Sequence, residues 1–486
     1  MNCSMSLSTL HSIQWVQAAK QWLATGAILG AGLVMGALIG LLDLKLSVIL
    51  VLLPVVTLYV GAIVVQPRVG IYSALIASFV VLGMARYIPF SWGLTIDGLL
   101  VLALIGWLFQ QKRPKILLEN GDVILLSLVW MGYLVLELGN PEMPGVQAWA
   151  FAMRGIGFYQ LICFVLAFAY LRQRRDLDWV LNSILIMSVL GALWGFKQQF
   201  IGLDYAENYW LWVEDHQDEH ILHGVLRVFS FYSDAGQFGA SQATVAVICG
   251  ILVLGPFTIK RKLIYLIVTG ISLAGFLYSG TRGAMAVFVG GGLVYMVLSK
   301  NFKILALGIL AMGMAFYMLK YTYVMHSFQP VARMRTALSA DNPSLQARLR
   351  NQVTFGNYLR SRPMGGGIGS AGYWGERFRP GSLLANTPTD SYYVKIWAET
   401  GILGVGFHML ILGYFLGKGS YIVWHIRNAQ LKQKMLALMA AYGGVLLASY
   451  GNQVFSQFPT GIVMSFALPM IFMAPLFDAE LSLDGS

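Results

Sequence analysis

Residues 278–284, YSGTRGA, set a permanent cation, Arg282, between Gly280 and Gly283, with apolar runs of membrane-spanning length at 263–279 and 284–299 on either side. A bilayer-crossing helix takes roughly 20 apolar residues, and outward from this turn such runs recur along the chain. They fall near 22–42, 45–65, 69–88, 95–110, 121–138, 151–170, 178–197, 237–256, 303–320, 391–416, 434–454 and 458–477. With the two around the turn this makes about fourteen, several of them short. The chain is 486 residues long, 57% hydrophobic and 11% charged, with a mean hydropathy of +0.67. Soluble domains do not have this composition. The expected fold is an all-α polytopic membrane protein of about 12–14 transmembrane helices.

The cations order these helices. Arg68, the stretch QQKRPK at 110–115, LRQRRD at 171–176, IKRK at 259–262, SKNFK at 299–303 and the 417–434 segment fall in alternate loops. Cytoplasmic loops are the ones enriched in Lys and Arg, so both termini are expected on the cytoplasmic side. The net charge of +11 is then a topology signal, and nucleic acid is not a predicted partner. Of three cysteines, Cys163 and Cys249 lie inside apolar runs, which suggests neither a disulfide framework nor a cysteine metal site. The opening HSIQWVQAAKQW reads as a short amphipathic lead-in, and no cleaved signal peptide is expected.

Five segments follow: helices over 1–197, an outer loop at 198–236, helices with the outward SGTRG turn at 237–320, a large outer loop at 321–390, and C-terminal helices with a tail at 391–486. The first loop contains DYAENYWLWVEDHQDEHILHGVLR, whose aromatics suit an interfacial belt or the apolar faces of sugar rings. His216, His220 and His223 lack zinc-ligand spacing, and no metal site is expected. In the second loop Asn342 can cap a helix over about 343–361, with Pro343 at its first position and Leu345, Leu349 and Val353 along one face. RPMGGGIGSAG, at 362–372, must end that helix. It carries no P-loop Lys-Ser/Thr.

Ionisable groups at a membrane core mark function. Arg227, Arg282, Arg348, Asp390 and Glu399 all fall on the expected outer face, where the charge bias disfavours arginine unless an anion holds it. Singly, each arginine reads equally as a snorkelling cation on a lipid phosphate, and Asp390 as a helix N-cap in NTPTDSYY. Together they suggest a pyrophosphate, whose oxygens match guanidinium donors bidentately.

These stretches carry a resemblance. YSGTRGA resembles the Ser-x-Ser-Arg-Gly signature of the O-antigen ligase and polymerase superfamily, and RVFSFYSDAGQFG, from Arg227, is similar to its Arg-x-x-Gly-x-Phe segment. ARLRNQVTFGNYLRSRPMGGGIG resembles the family's outer-loop helix, with Pro363 fifteen positions after Arg348. DSYYVKIWAETGILG is similar to the family's His-Asn-x-Tyr-Leu helix start, with its later Glu and glycines. The resemblance implies a GT-C-like fold and an inverting, metal-independent, cofactor-free glycosyl transfer at the periplasmic face of the bacterial inner membrane. The donor it implies is an undecaprenyl-pyrophosphate-linked oligosaccharide, with membrane lipids around it and a glycan acceptor. By position, Arg227 and Arg282 become the pyrophosphate clamp and Arg348 a further binding residue. Asp390 takes the place of the basic His, and Tyr393 and Glu399 become substrate-binding residues. Ser230, Gly236 and Ser391 depart from the family pattern. The reading preferred within the family is a polymerase of polysaccharide repeat units. Its alternatives are a ligase to lipid A core or a protein O-oligosaccharyltransferase, and, from another class, a lipid-linked oligosaccharide flippase.

Overall fold

Glycine 401 breaks the longest helix, Tyr392–His425, with φ 65° and ψ −168°, and the glycine-rich turn docks into the break. Gly366 N donates to Ala398 O at 2.9 Å, and Pro363 O accepts from Leu403 N at 3.3 Å. A Cβ at position 401 would lie 2.0 Å from Pro363 O, so only glycine fits. The computed structural model describes residues 44–483 apart from 113, 115–119, 223, 328 and 337–342. The expected span at 22–42, the lead-in before it, Arg113, Lys115, His223 and Asn342 lie outside the described residues.

Two units divide the chain, residues 1–66 and 67–486. In the first, α1 (Leu44–Val65) is an apolar helix. The second holds α2 (Pro67–Met84), α3 (Gly93–Phe109), α4 (Gly121–Leu136), α5 (Val146–Tyr170) and α6 (Arg174–Ile201). A short α7 (Tyr205–Trp212) leads to α8 (Ala235–Val253), α9 (Ile259–Ser279), α10 (Met285–Leu298) and α11 (Phe302–Tyr321). Then come α12 (Gln329–Thr336), α13 (Pro343–Leu359) and α14 (Gly372–Phe378). The broken helix is α15 (Tyr392–His425), followed by α16 (Ala429–Ala448), α17 (Thr460–Phe472) and α18 (Ala474–Leu483). A two-residue antiparallel hairpin pairs Ile221–Leu222 with Val225–Leu226.

The protein is an all-α polytopic membrane protein. Among the described residues nine helices are long and apolar enough to cross a bilayer, or ten if α17 and α18, bent by 49°, make one span. Each of the runs expected between 45 and 477 coincides with a described helix, but Gly93–Phe109 and Arg282–Leu298 are short, and α16 carries Lys432 and Lys434 near its start. That accounts for the difference from the expected count.

At the centre of the larger unit α8 is buried along nearly its whole length, between α9 and α16. α10 runs along α16, with Gly290 and Gly291 facing Gly443 and Gly444, the close approach that small residues permit between helices in lipid. At one end of this bundle the start of α8, the end of α9, the start of α10 and the start of α15 converge. Tyr392 N donates to Ser449 O at 2.9 Å, joining α15 to the end of α16.

The long segments cap that end. α13 packs by Phe355 and Leu359 onto Val394 and Ala398 of α15, with Tyr358 and Trp397 at the margin. The expected apolar row faces outward instead: Leu345, Leu349 and Val353 are 38, 49 and 64% exposed. The larger Phe355 wins because α15 offers it a closed apolar seat, whereas Leu345 sits at the rim of a polar cavity and Leu349 and Val353 are exposed. The first segment splits likewise: Tyr205 and Trp212 are exposed, while Trp210 stacks on His216 and meets Phe229 at a tilt of 60°.

Candidate active site

Two sequence stretches that lie about fifty residues apart are stitched together by hydrogen bonds to main-chain oxygens. Val228 N donates to Tyr278 O at 3.2 Å, and Thr281 Oγ1 donates to Ala235 O at 2.7 Å. Arg227 is held across this seam: Nη1 donates to Glu219 O at 2.7 Å, Nη2 to Thr281 Oγ1 at 3.2 Å and Nε to Ser279 O at 3.4 Å. Its backbone N donates to His220 O at 2.7 Å. Burial and the nearby Arg282 lower its pKa, against the pull of Asp234 and Glu219.

The chain after Arg227 is held in an unusual shape. Ser230 is in the left-handed region with φ 54°, and Gln198 Oε1 accepts from Phe229 N at 3.2 Å and Ser230 N at 2.7 Å. Arg86 supports it from below, donating to Ser230 O at 2.6 Å and to Tyr232 O, with its guanidinium 4.2 Å from Trp210 and 4.4 Å from Phe229. Behind Gln198, Glu207 is buried but satisfied by Trp194, Gln198 and Lys197 at 2.6–2.8 Å. Asp234 then caps α8, accepting from Gln237 N at 2.9 Å.

Arg282 opens a single 3-10 turn before α10, and its Nη1 donates to Thr336 Oγ1 at 2.9 Å. Gly280 takes the left-handed conformation that ends α9, with φ 58°, and a Cβ there would lie 3.1 Å from Arg333 Cδ. The glycine lets Arg333, from α12, lie directly over the turn.

On the far side stands Asp390, also left-handed with φ 44°. It is not the helix cap expected from NTPTDSYY: Ser391 caps α15, its Oγ accepting from Val394 N. A hydroxyl one residue nearer the helix meets the free amide, and the Asp390 side chain is left for the cavity. Arg348 Nε lies 3.8 Å from Asp390 Oδ2, an ion pair rather than a hydrogen bond. The segment before Asp390 is fixed by Asn351, which donates to Pro388 O at 3.1 Å, and by Gln453, which donates to Thr389 Oγ1 at 2.7 Å.

Two adjoining cavities meet at the arginines. One, of about 740 Å³, is walled by Phe200, Leu226, Leu277, Tyr278 and Pro330. The other, of about 890 Å³, is walled by Asp218, Asp234, Tyr373, Asp390, Asn452 and Arg348. Arg227, Arg282 and Arg333 line both. An apolar chamber and a polar chamber thus share a cationic wall.

Tyr393 and Glu399 are not part of it. The Tyr393 hydroxyl donates to Leu446 O at 2.7 Å between α15 and α16. Glu399 is fully buried beneath the glycine-rich turn, near the backbone of Gly369 and Ala371. His220 is engaged by its neighbours: Nδ1 meets His216 O at 3.0 Å and Nε2 accepts from Ala235 N at 3.3 Å, so both of its ring nitrogens are taken.

Residues 267–409 match the family model described as O-antigen ligase. The chain is also 22% identical over 356 residues to the O-antigen polymerase of Salmonella muenchen, a match covering 70% of this chain and 77% of that protein. Both matches are to the O-antigen ligase and polymerase superfamily, which this chain resembles. The O-antigen ligase match takes in Arg282, Arg333, Arg348 and Asp390. Arg227 precedes it and reaches the family region only through its contacts with Ser279 and Thr281.

Arg333 and Arg86 belong to none of the motifs that carry the family resemblance. The signal for Arg333 is the short basic helix QPVARMRT, in which one apolar residue, Met334, is buried. Nothing in the sequence marks Arg86, because its partners are main-chain oxygens about 145 residues away.

Proposed function

We propose that the protein is a polysaccharide polymerase that transfers a glycan from undecaprenyl pyrophosphate to a hydroxyl of another lipid-linked repeat unit, with inversion and without a metal ion. The observation that carries this reading is the cationic wall shared by an apolar and a polar cavity. A lipid-linked glycosyl diphosphate has the same three-part order, with an apolar chain, an anionic middle and a polar glycan. Arg227 and Arg282 hold the diphosphate, the apolar chamber takes the first isoprene units, and the polar chamber takes sugars.

In the reaction the acceptor oxygen attacks the anomeric carbon from the face opposite the diphosphate. The bond between that carbon and the bridging phosphate oxygen breaks, and its electrons stay on the diphosphate. The acceptor proton passes to Asp390, which Arg348 orients. Guanidinium groups fixed before the reaction stabilise the charge that develops on the leaving oxygen. This supplies electrostatic help of the kind that a divalent cation gives elsewhere. In this reading the cavities open at the periplasmic face of the inner membrane, with the 198–236 and 321–390 segments on that side.

The test is an assay of the purified protein with an undecaprenyl-pyrophosphate-linked oligosaccharide, no other acceptor and a metal chelator present, resolved on a gel and by mass spectrometry. A ladder of lengthening lipid-linked chains is expected. Unchanged donor that is consumed once lipid A core is added makes the protein a ligase. Donor that is moved across a vesicle membrane without reaction makes it a transporter.

A further inference from the structure

Arg333 lies in none of the motifs that carry the family resemblance, yet the helix that carries it is anchored over the site. Met334 anchors α12 with 3% exposure. Arg335 fastens it to the end of α11 by donating to Met318 O at 3.1 Å, Leu319 O at 3.2 Å, and Thr322 O and Val324 O. Thr336 donates to Arg333 O at 2.8 Å while accepting from Arg282, so the same short helix orients one arginine and carries the other.

The charged groups that act most on Arg333 are Arg227 and Arg282, although the cavity they line also carries Asp218, Asp234 and Asp390. Among the described residues Arg333 forms no ion pair, whereas Asp234 and Glu219 act on Arg227. Burial, then Arg227 and Arg282, bring its pKa down to about 10, which leaves it charged at neutral pH. Three guanidinium groups around one seam repel each other, and a polyanion bound between them relieves that repulsion.

The charge of the reacting groups bears on the number three. A glycosyl diphosphate bound to a lipid carries about two negative charges, and the lipid diphosphate released from it carries about three, since its terminal phosphate ionises again near neutral pH. A third cation therefore matches the departing group better than the bound donor, which is the condition for raising turnover rather than affinity alone. A monophosphate offers fewer oxygens than a diphosphate to three guanidinium groups.

We propose that Arg333 is a third diphosphate-binding residue, and that through it the site selects a lipid diphosphate over a lipid monophosphate and stabilises the leaving group. This rests on the donor-site reading above. The test uses the full-length protein in lipid nanodiscs, with undecaprenyl diphosphate and undecaprenyl monophosphate as competing ligands, for wild type, R227Q, R282Q, R333Q and R333K. Wild type is expected to favour the diphosphate by about tenfold or more, and R333Q to lose most of that preference while monophosphate affinity is unchanged. In R333Q kcat falls more than KM rises, and R333K recovers part of the loss because charge returns without the planar fork. If R333Q keeps the full preference while R227Q and R282Q lose it, the role of Arg333 is refuted and the donor site stands. If none of the three glutamine variants alters the preference, the donor-site reading falls as well. Should R333Q fail to give monodisperse protein, R333K decides: a preference reduced by about threefold or more supports the role, and an unchanged preference overturns it.

Discussion

Arg348 Nε stands 3.8 Å from Asp390 Oδ2 at the wall of the cavity that Arg227 and Arg282 also line. Both side chains are partly exposed, 34 and 45%, so the pair contributes little to stability, within about 0.5 kcal/mol. Asp390→Asn keeps a residue type that tolerates the left-handed backbone and removes the proton acceptor. Turnover is expected to drop by about 100-fold, with diphosphate binding and melting temperature unchanged. Stopped chain growth together with lost diphosphate binding would place Asp390 on the donor side instead.

Arg86 supports the loop that carries Arg227. Arg86→Ala leaves the Ser230 and Tyr232 carbonyls without their donor and removes the cation packed against Trp210 and Phe229, at an expected cost of about 3 kcal/mol. Arg86→Lys restores little, because one ammonium cannot serve both carbonyls and still stack. Hydrogen exchange over 228–234 should rise in both variants. Unchanged protection there would show that Gln198 alone holds the loop.

Gly401 and Gly280 separate a steric role from a site role. Gly401→Ala drives a methyl group into Pro363 O, 2.0 Å from the Cβ position, and is expected to cost about 3 kcal/mol or more and to release the glycine-rich turn. Gly280→Ala meets Arg333 Cδ at 3.1 Å and strains a φ of 58°, costing about 1 kcal/mol. Its larger effect should be on turnover. Melting curves and rates measured on both variants check this; an active Gly280→Ala enzyme would mean that Arg333 moves aside freely.

His220 sets a pH dependence. Burial, offset in part by its bond to His216 and by Asp234 and reinforced by Arg227 and Arg86, lowers its pKa from 6.5 to about 4. The unfolded chain takes up the proton below about pH 6.5 and the folded protein only below about pH 4, so stability falls as pH drops through that window. Thermal unfolding between pH 7 and 5 should show this decline, and His220→Gln should flatten it. A decline of equal size in the variant would assign it to other groups.

Much of the fold was legible because the bilayer allows few solutions: an apolar run of sufficient length must be a helix, and the described apolar helices sit where such runs predict them. Arg227, Arg282, Arg348 and Asp390 were also legible, as charges that an apolar chain does not keep without cause. The face that α13 buries was not, since periodicity proposed Leu345, Leu349 and Val353 and packing chose Phe355 and Leu359. Nor was the cap of α15, where Asp390 and Ser391 are equally good cap residues by type and only the backbone angles separate them.

The sequence by itself determined the helices, the motif order and the cations, because those depend on local hydrophobicity and on the cost of burying charge. Tertiary structure alone decided which charges meet. Arg333 joined Arg227 and Arg282 because α12 is tied to α11 and Gly280 leaves room above the turn, and Tyr393 and Glu399 were turned away as α15 packed against α16 and the glycine-rich turn. Contacts between residues far apart in the chain follow from packing and main-chain hydrogen bonds, which no single stretch of sequence encodes.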